Sequence, residues 1–134
     1  MKKKSNKQLA KEILNREIAA LKRTTKLLDS KFESACDAII SNKGKVITLG
    51  IGKSSFIAMK MAATLSSTGT AALFLHPVDA LHGDVGVIKK NDIVIIYSNS
   101  GETQEVIKLL PLLKLLKCYI ISITGNLSSS LAQY

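Results

Sequence analysis

The sequence predicts an α/β fold built on a parallel sheet and preceded by a long amphipathic helical segment. Three observations predict it. Apolar residues from Leu9 to Ile39 recur at spacings of three, four and seven, as one face of a helix requires. After Asn42-Lys43-Gly44 the pattern changes to four short β-rich apolar runs without clean alternation, which suits strands covered on both faces. Helical patterns separate those runs, and alternating buried strand and helix means βαβ units. The chain of 134 residues, 46% hydrophobic and 22% charged, suits one core and excludes a disordered or collagen-like protein.

The elements follow in order. The stripe of Leu9, Ile13, Leu14, Ile18, Leu21, Leu28, Phe32, Ala35 and Ile39 predicts helix from about Asn6 to Ser41, with a break near Thr24-Thr25 or Asp29-Ser30. Residues 1–41 are therefore read as a helical segment that packs on the domain or on a partner subunit, and 42–134 as the domain itself. The predicted strands are Val46–Leu49, Ala71–Leu75, Ile93–Tyr97 and Tyr119–Ile123. Helices are predicted over 54–67 and 102–117, with Pro111 producing a kink or a restart in the second. Residues 76–91 carry no clear helix, and a loop of that length often has a function. Ser128 to Tyr134 resembles the beginning of a helix. A sheet that stops there leaves its last strand uncovered on one side with an exposed edge, so the domain reads as truncated after the fourth strand.

The formal charge of +9 raises the question of nucleic acid. Residues 1–31 hold ten basic and three acidic residues, a local +7, which leaves +2 for the other 103. Only two of the nineteen basic residues are arginine and aromatics are 4%, so a solvated helix face is favoured over nucleic-acid binding. No apolar run approaches the roughly 20 residues of a membrane span. Met1-Lys-Lys-Lys is followed by polar residues where a signal peptide needs an apolar region. Cys36 and Cys118 have no CxxC spacing and apolar neighbours, which points to reduced thiols and a cytoplasmic protein.

Parallel sheets bind ligands at the carboxyl ends of their strands, so the loops there carry the functional reading. After the first strand stands Gly50-Ile-Gly-Lys-Ser-Ser55, with two glycines before a helix N-terminus that could receive an anion. It is not a P-loop, because Ile47 occupies the required glycine position. Nor is it a GxGxxG fingerprint, because Ser55 stands in place of the last glycine. After the third strand stands Ser98-Asn-Ser-Gly-Glu-Thr103. There Ser100 is expected to cap the next helix and, with the hydroxyls of Ser98 and Thr103, to wrap a phosphate dianion. Three hydroxyls in six residues exceed what capping needs. Simple turn and cap chemistry is the plainer alternative for both loops.

Lys53, Glu105 and His82, the last in His76-Pro-Val-Asp-Ala-Leu-His-Gly-Asp84, supply a cation, a base and an imidazole near the expected cleft. Beside a bound phosphate such a set could move protons α to a carbonyl. Singly, each has a structural reading as a surface or packing residue. A metal on His76 and His82 with Asp79 or Asp84 matches no recognised spacing, and no metal site is predicted.

GKVITLGIGKS at 44–54, ATLSSTGTAALFLHPVDALHGDVGVI at 63–88, SNSGETQEV at 98–106 and ITGNLSSSLA at 123–132 together resemble the SIS (sugar isomerase) domain, specifically the arabinose-5-phosphate isomerases of the KpsF/GutQ type. The resemblance implies a five-stranded flavodoxin-like sheet and reversible conversion of arabinose 5-phosphate to ribulose 5-phosphate, feeding bacterial surface-sugar synthesis. It implies phosphate binding by Gly52, Ser54, Ser98, Asn99, Ser100 and Thr103, and active-site roles for Lys53, His82 and Glu105. It implies no cofactor, and a homo-oligomer, a tetramer with sites between subunits, whose assembly would bury the amino-terminal stripe. In that family a further glutamate and histidine, the last strand and a pair of cystathionine-β-synthase-type modules follow the TGN segment. A non-catalytic phosphosugar-sensing module is the alternative reading, since the same fold occurs fused to DNA-binding domains.

Overall fold

A computed structural model describes residues 4–134. The chain forms two compact units, one reaching to Asp37 and one from Ala38 to Tyr134. In the first, α1 (Asn6–Thr24) opens on a capping box. The Ser5 hydroxyl accepts from the Gln8 amide, and the Gln8 side chain accepts from the Ser5 amide. The predicted single helix breaks at both suggested places. A 3-10 turn occupies Thr25–Leu27, and α2 (Ser30–Ser41) starts after Asp29, whose carboxylate accepts from the amides of Lys31 and Phe32. The large apolar side chains of α1 are exposed, Leu21 at 67%.

In the second unit, β1 (Val46–Gly50), β2 (Ala72–Phe74), β3 (Ile93–Tyr97) and β4 (Tyr119–Ile123) form one parallel sheet of order β2-β1-β3-β4. The register pairs Gly50 with Tyr97 and Tyr97 with Ile123, so the last residues of three neighbouring strands lie level. Side chains alternate between the faces. Ile47, Leu49, Val94 and Ile96 form the larger core with Val106, Leu109, Leu110 and Leu113 of α5 (Gln104–Leu115) and Leu131 of α6 (Ser130–Gln133). Val46, Ile93 and Ile95 face the other way, against Met61 and Leu65 of α3 (Lys53–Ser67) and Ala38 and Ile39 of α2. Thr48 lies on that face, and its buried hydroxyl donates to the Ala58 carbonyl.

Three expectations change. Residues 76–91 are not helix-free: α4 (Pro77–Leu81) and a 3-10 turn (Asp84–Val87) lie there. Pro77 sits in the first turn of α4, and His76 Nδ1 accepts from the Val78 amide. The helix is too short to show periodicity. No restart occurs at Pro111, because α5 runs through it with the exposed ring on the solvent side and Leu109, Leu110 and Leu113 anchored in the core. Ser100 does not cap α5; Thr103 holds that position. β4 is a sheet edge, with Tyr119 and Ile123 about half exposed.

The amino ends of the strands are tied by one carboxylate. Asp92, 3% exposed, accepts from the Lys45 amide at 3.0 Å, the Lys45 ammonium at 2.8 Å and the Lys89 amide at 2.7 Å. Burial alone would raise the Asp92 carboxyl. The Lys45 ammonium and the Lys89 and Lys45 amides outweigh it and hold the group below its ordinary value.

Candidate functional site

The opposite ends of the strands meet in a different arrangement. An open cleft of about 300 Å³ lies there, lined by Ser54, Ile57, Tyr97, Ser98, Asn99, Ile123, Thr124 and Gly125. It follows from topology: β1 and β3 are neighbours whose connections leave in opposite directions, and such a switch point opens a crevice between the two loops.

The first wall is the start of α3. Gly50 brings it close, since a Cβ there would lie 2.8 Å from the Ser54 carbonyl group. Gly52 turns the chain at φ +59 and is the N-cap, with no side-chain cap bond. The hydroxyl of Ser54, the second helical residue, faces the cleft and has no hydrogen-bond partner among the described residues. Ser55 turns instead to the Gly52 carbonyl at 2.6 Å.

The second wall is the loop after β3. Ser98, 3% exposed, accepts from the Gly101 amide at 3.1 Å and shares a hydrogen bond of 2.9 Å with the Thr103 hydroxyl. These two hydroxyls therefore set the loop's shape first. Ser100 is exposed and accepts from the Glu102 amide, which draws it into a local turn rather than into the lining. Thr103 makes no side-chain cap bond, so the amides that open α5 keep their capacity for an anion.

Of the residues singled out in the sequence, the cleft brings together Ser54, Ser98 and Asn99. Gly52, Ser100 and Thr103 do not line it. Lys53 begins α3 and is exposed, and Glu105 is the second residue of α5 and half-buried. His82 is the exposed C-cap of α4, its amide bound to the Val78 and Asp79 carbonyls. None of the three side chains has a hydrogen bond or ion pair among the described residues. No group of three or more metal-ligating side chains occurs among those residues.

Sequence reasoning missed the third wall. Thr124 and Gly125 follow β4, and both bind the Asn99 carbonyl, through the Gly125 amide at 3.0 Å and the Thr124 hydroxyl at 3.3 Å. A Cβ on Gly125 would meet Asn99 Oδ1 at 2.9 Å, so glycine permits this approach. The signal was available: TGN follows directly on an apolar run, at the same strand end as the other two loops. Ile57, Tyr97 and Ile123 make the remainder of the lining mainly apolar, and burial raises the Tyr97 phenol above its ordinary value, which keeps it neutral.

A parallel sheet of this order, with two uncapped helix starts beside a hydroxyl-lined crevice, defines an open α/β domain of the flavodoxin-like type. The chain belongs to the SIS domain family, which matches residues 39–134. It is 50% identical over 102 residues to the arabinose 5-phosphate isomerase KdsD of Pseudomonas aeruginosa, a match covering 76% of this chain and 31% of that protein. The enzyme of the same name from Francisella tularensis is 48% identical, over 92% of this chain and 39% of the relative. Among solved structures, an Escherichia coli protein in complex with arabinose 5-phosphate superposes with a TM-score of 0.83 at 42% identity, covering 97% of this chain and 71% of that one. The chain thus spans about a third of the length of these curated relatives. No helix among the described residues is long and apolar enough to cross a membrane.

Proposed function

We propose that this chain is the sugar-phosphate-binding part of an aldose-ketose isomerase that interconverts arabinose 5-phosphate and ribulose 5-phosphate. The observation that carries the proposal is the cleft at the switch point, where the Ser54 hydroxyl, without a partner among the described residues, lies with Ser98 and Asn99 between the starts of α3 and α5, the second of which keeps its first amides open. Donors without protein partners, aligned with two helix dipoles, suit a phosphate dianion better than any neutral group. The sugar-phosphate complex of the E. coli relative and the two KdsD relatives support a pentose phosphate as the ligand.

The chemistry follows from holding the ester at this end of the sheet. Glu105 takes the proton from C2 of the open-chain aldose, and the electron pair passes to form an enediolate. Lys53 stabilises the developing negative charge, and His82 serves as the acid that moves protons between the two oxygens. Return of the proton to C1 completes the ketose. Gly52, Ser100 and Thr103 hold the two loops in the shape that grips the phosphate. The remaining reading extends to the whole assembly: a cytoplasmic homo-oligomer, in which a second copy covers the apolar stripe of α1.

The test is incubation of the protein with arabinose 5-phosphate in heavy water. Saturable binding of arabinose 5-phosphate is expected, any ribulose 5-phosphate formed should carry solvent deuterium at C1, and Glu105→Gln should retain binding without turnover. Absence of both conversion and binding would refute the proposal.

A further inference from the structure

Glu102 lies inside the loop assigned to phosphate, where a carboxylate should repel the ligand. Its geometry shows where that charge goes. Glu102 Oε1 accepts from the Ser130 amide at 2.7 Å, across 28 residues, at the start of α6. Two neighbouring contacts run the same way. The Leu131 amide donates to the Gly101 carbonyl at 3.1 Å, and Gly101 leaves room for the Ser129 side chain, whose Oγ would lie 2.0 Å from a Cβ on that glycine. Further along, the Gly125 amide and Thr124 hydroxyl hold the Asn99 carbonyl. Ser129 is itself fixed, fully buried, donating to the Asn126 carbonyl at 2.6 Å and accepting from the Ala132 amide. The loop after β3 is therefore stapled along its length to the segment after β4. Glu102 is the one member of that staple that carries a formal charge.

We infer that Glu102 is a positioning residue: it turns its charge away from the anion cleft onto the Ser130 amide and so locks the β3 loop against the 124–132 segment in the shape that receives phosphate. The inference deepens the proposed function and rests on it for the ligand, although the staple itself does not depend on which ligand binds. A charge-assisted bond is stronger than a neutral one, and this one fixes the carboxylate on the α6 side of the loop. The arrangement also explains why the motif pairs glycine with glutamate. Gly101 admits Ser129, and that contact places the Ser130 amide within reach of the next side chain.

The donor can be deleted without touching the loop. Ser130 is the first residue of α6, where proline is tolerated, and Ser129 before it has the extended conformation (φ −74, ψ 158) that a following proline requires. Ser130→Pro therefore removes the one N–H and an exposed hydroxyl. We would measure amide hydrogen exchange across 124–133 and affinity for arabinose 5-phosphate in wild type, Glu102→Ala, Glu102→Gln, Ser130→Pro and the Glu102→Ala/Ser130→Pro double variant. Glu102→Ala and Ser130→Pro should each speed exchange in this segment by about tenfold, as loss of a bond to a charged group does. The double variant should be no worse than either single one, and Glu102→Gln, which keeps an acceptor oxygen, should stay within about threefold of wild type. Affinity should fall in parallel. Unchanged exchange in both single variants, or additive effects in the double one, would overturn the inference. If the wild type binds no sugar phosphate, the proposed function fails while the exchange data still decide the staple. If exchange responds but affinity does not, the staple stands and its role in shaping the anion cleft is overturned.

Discussion

The two ends of the sheet spend their polar groups in opposite ways. At the amino ends Asp92 meets three donors, from Lys45 and Lys89, within 3.0 Å and is almost wholly buried. At the carboxyl ends α3 and α5 begin without a side-chain cap, and the Ser54 hydroxyl faces an open cleft with no partner among the described residues. The first end is saturated and contributes stability. The second holds donors in reserve, and a saturated site would have nothing left with which to grip an anion.

The sharpest way to break the contrast is Asp92→Ala. It strands a partly buried ammonium and two amides, and should cost about 3 to 5 kcal/mol of stability in a denaturant titration, with no effect on ligand affinity in the fraction that stays folded. Gly101→Ala should come next. Its φ of +69 and the contact with Ser129 predict a loss of about 2 to 4 kcal/mol and, unlike the first variant, a collapse of sugar-phosphate binding measured by calorimetry. Ser54→Ala should do the reverse of Asp92→Ala, weakening sugar-phosphate affinity by about 1 to 3 kcal/mol while the unfolding midpoint barely moves. The smallest effect is on acid stability. Because the folded Asp92 carboxyl lies below its unfolded value of 3.8, its contribution is present above that pH and disappears as pH falls through the lower folded value. Unfolding curves of Asp92→Asn should therefore lack part of the stability loss that the wild type shows below pH 3.8.

The same contrast explains what was legible in the sequence. The strands were, because runs such as Ile93–Tyr97 are buried on both faces and need no partner to declare themselves. The order of the loops was legible too, since βαβ connections place Gly50–Ser55 and Ser98–Thr103 at the same, carboxyl, end of the strands. What escaped depends on pairs far apart in the chain. Asn99 with Gly125 and Glu102 with Ser130 are separated by 26 and 28 residues, and no local pattern announces them. Ser100 looked like a cap because serine before a helix usually is one. Instead the bond between Ser98 and Thr103 delays the helix to Gln104, which leaves its first amides open. α4 was missed because five residues are too few to show a period.

The most direct test of the anion cleft is a backbone amide NMR titration with arabinose 5-phosphate. Saturable shifts are expected in residues 52–55, 98–106 and 124–126, with the amides around Lys45, Lys89 and Asp92 unmoved. Shifts confined to that amino-end cluster, or no saturable shift at either end, would contradict the assignment of the cleft to a phosphate.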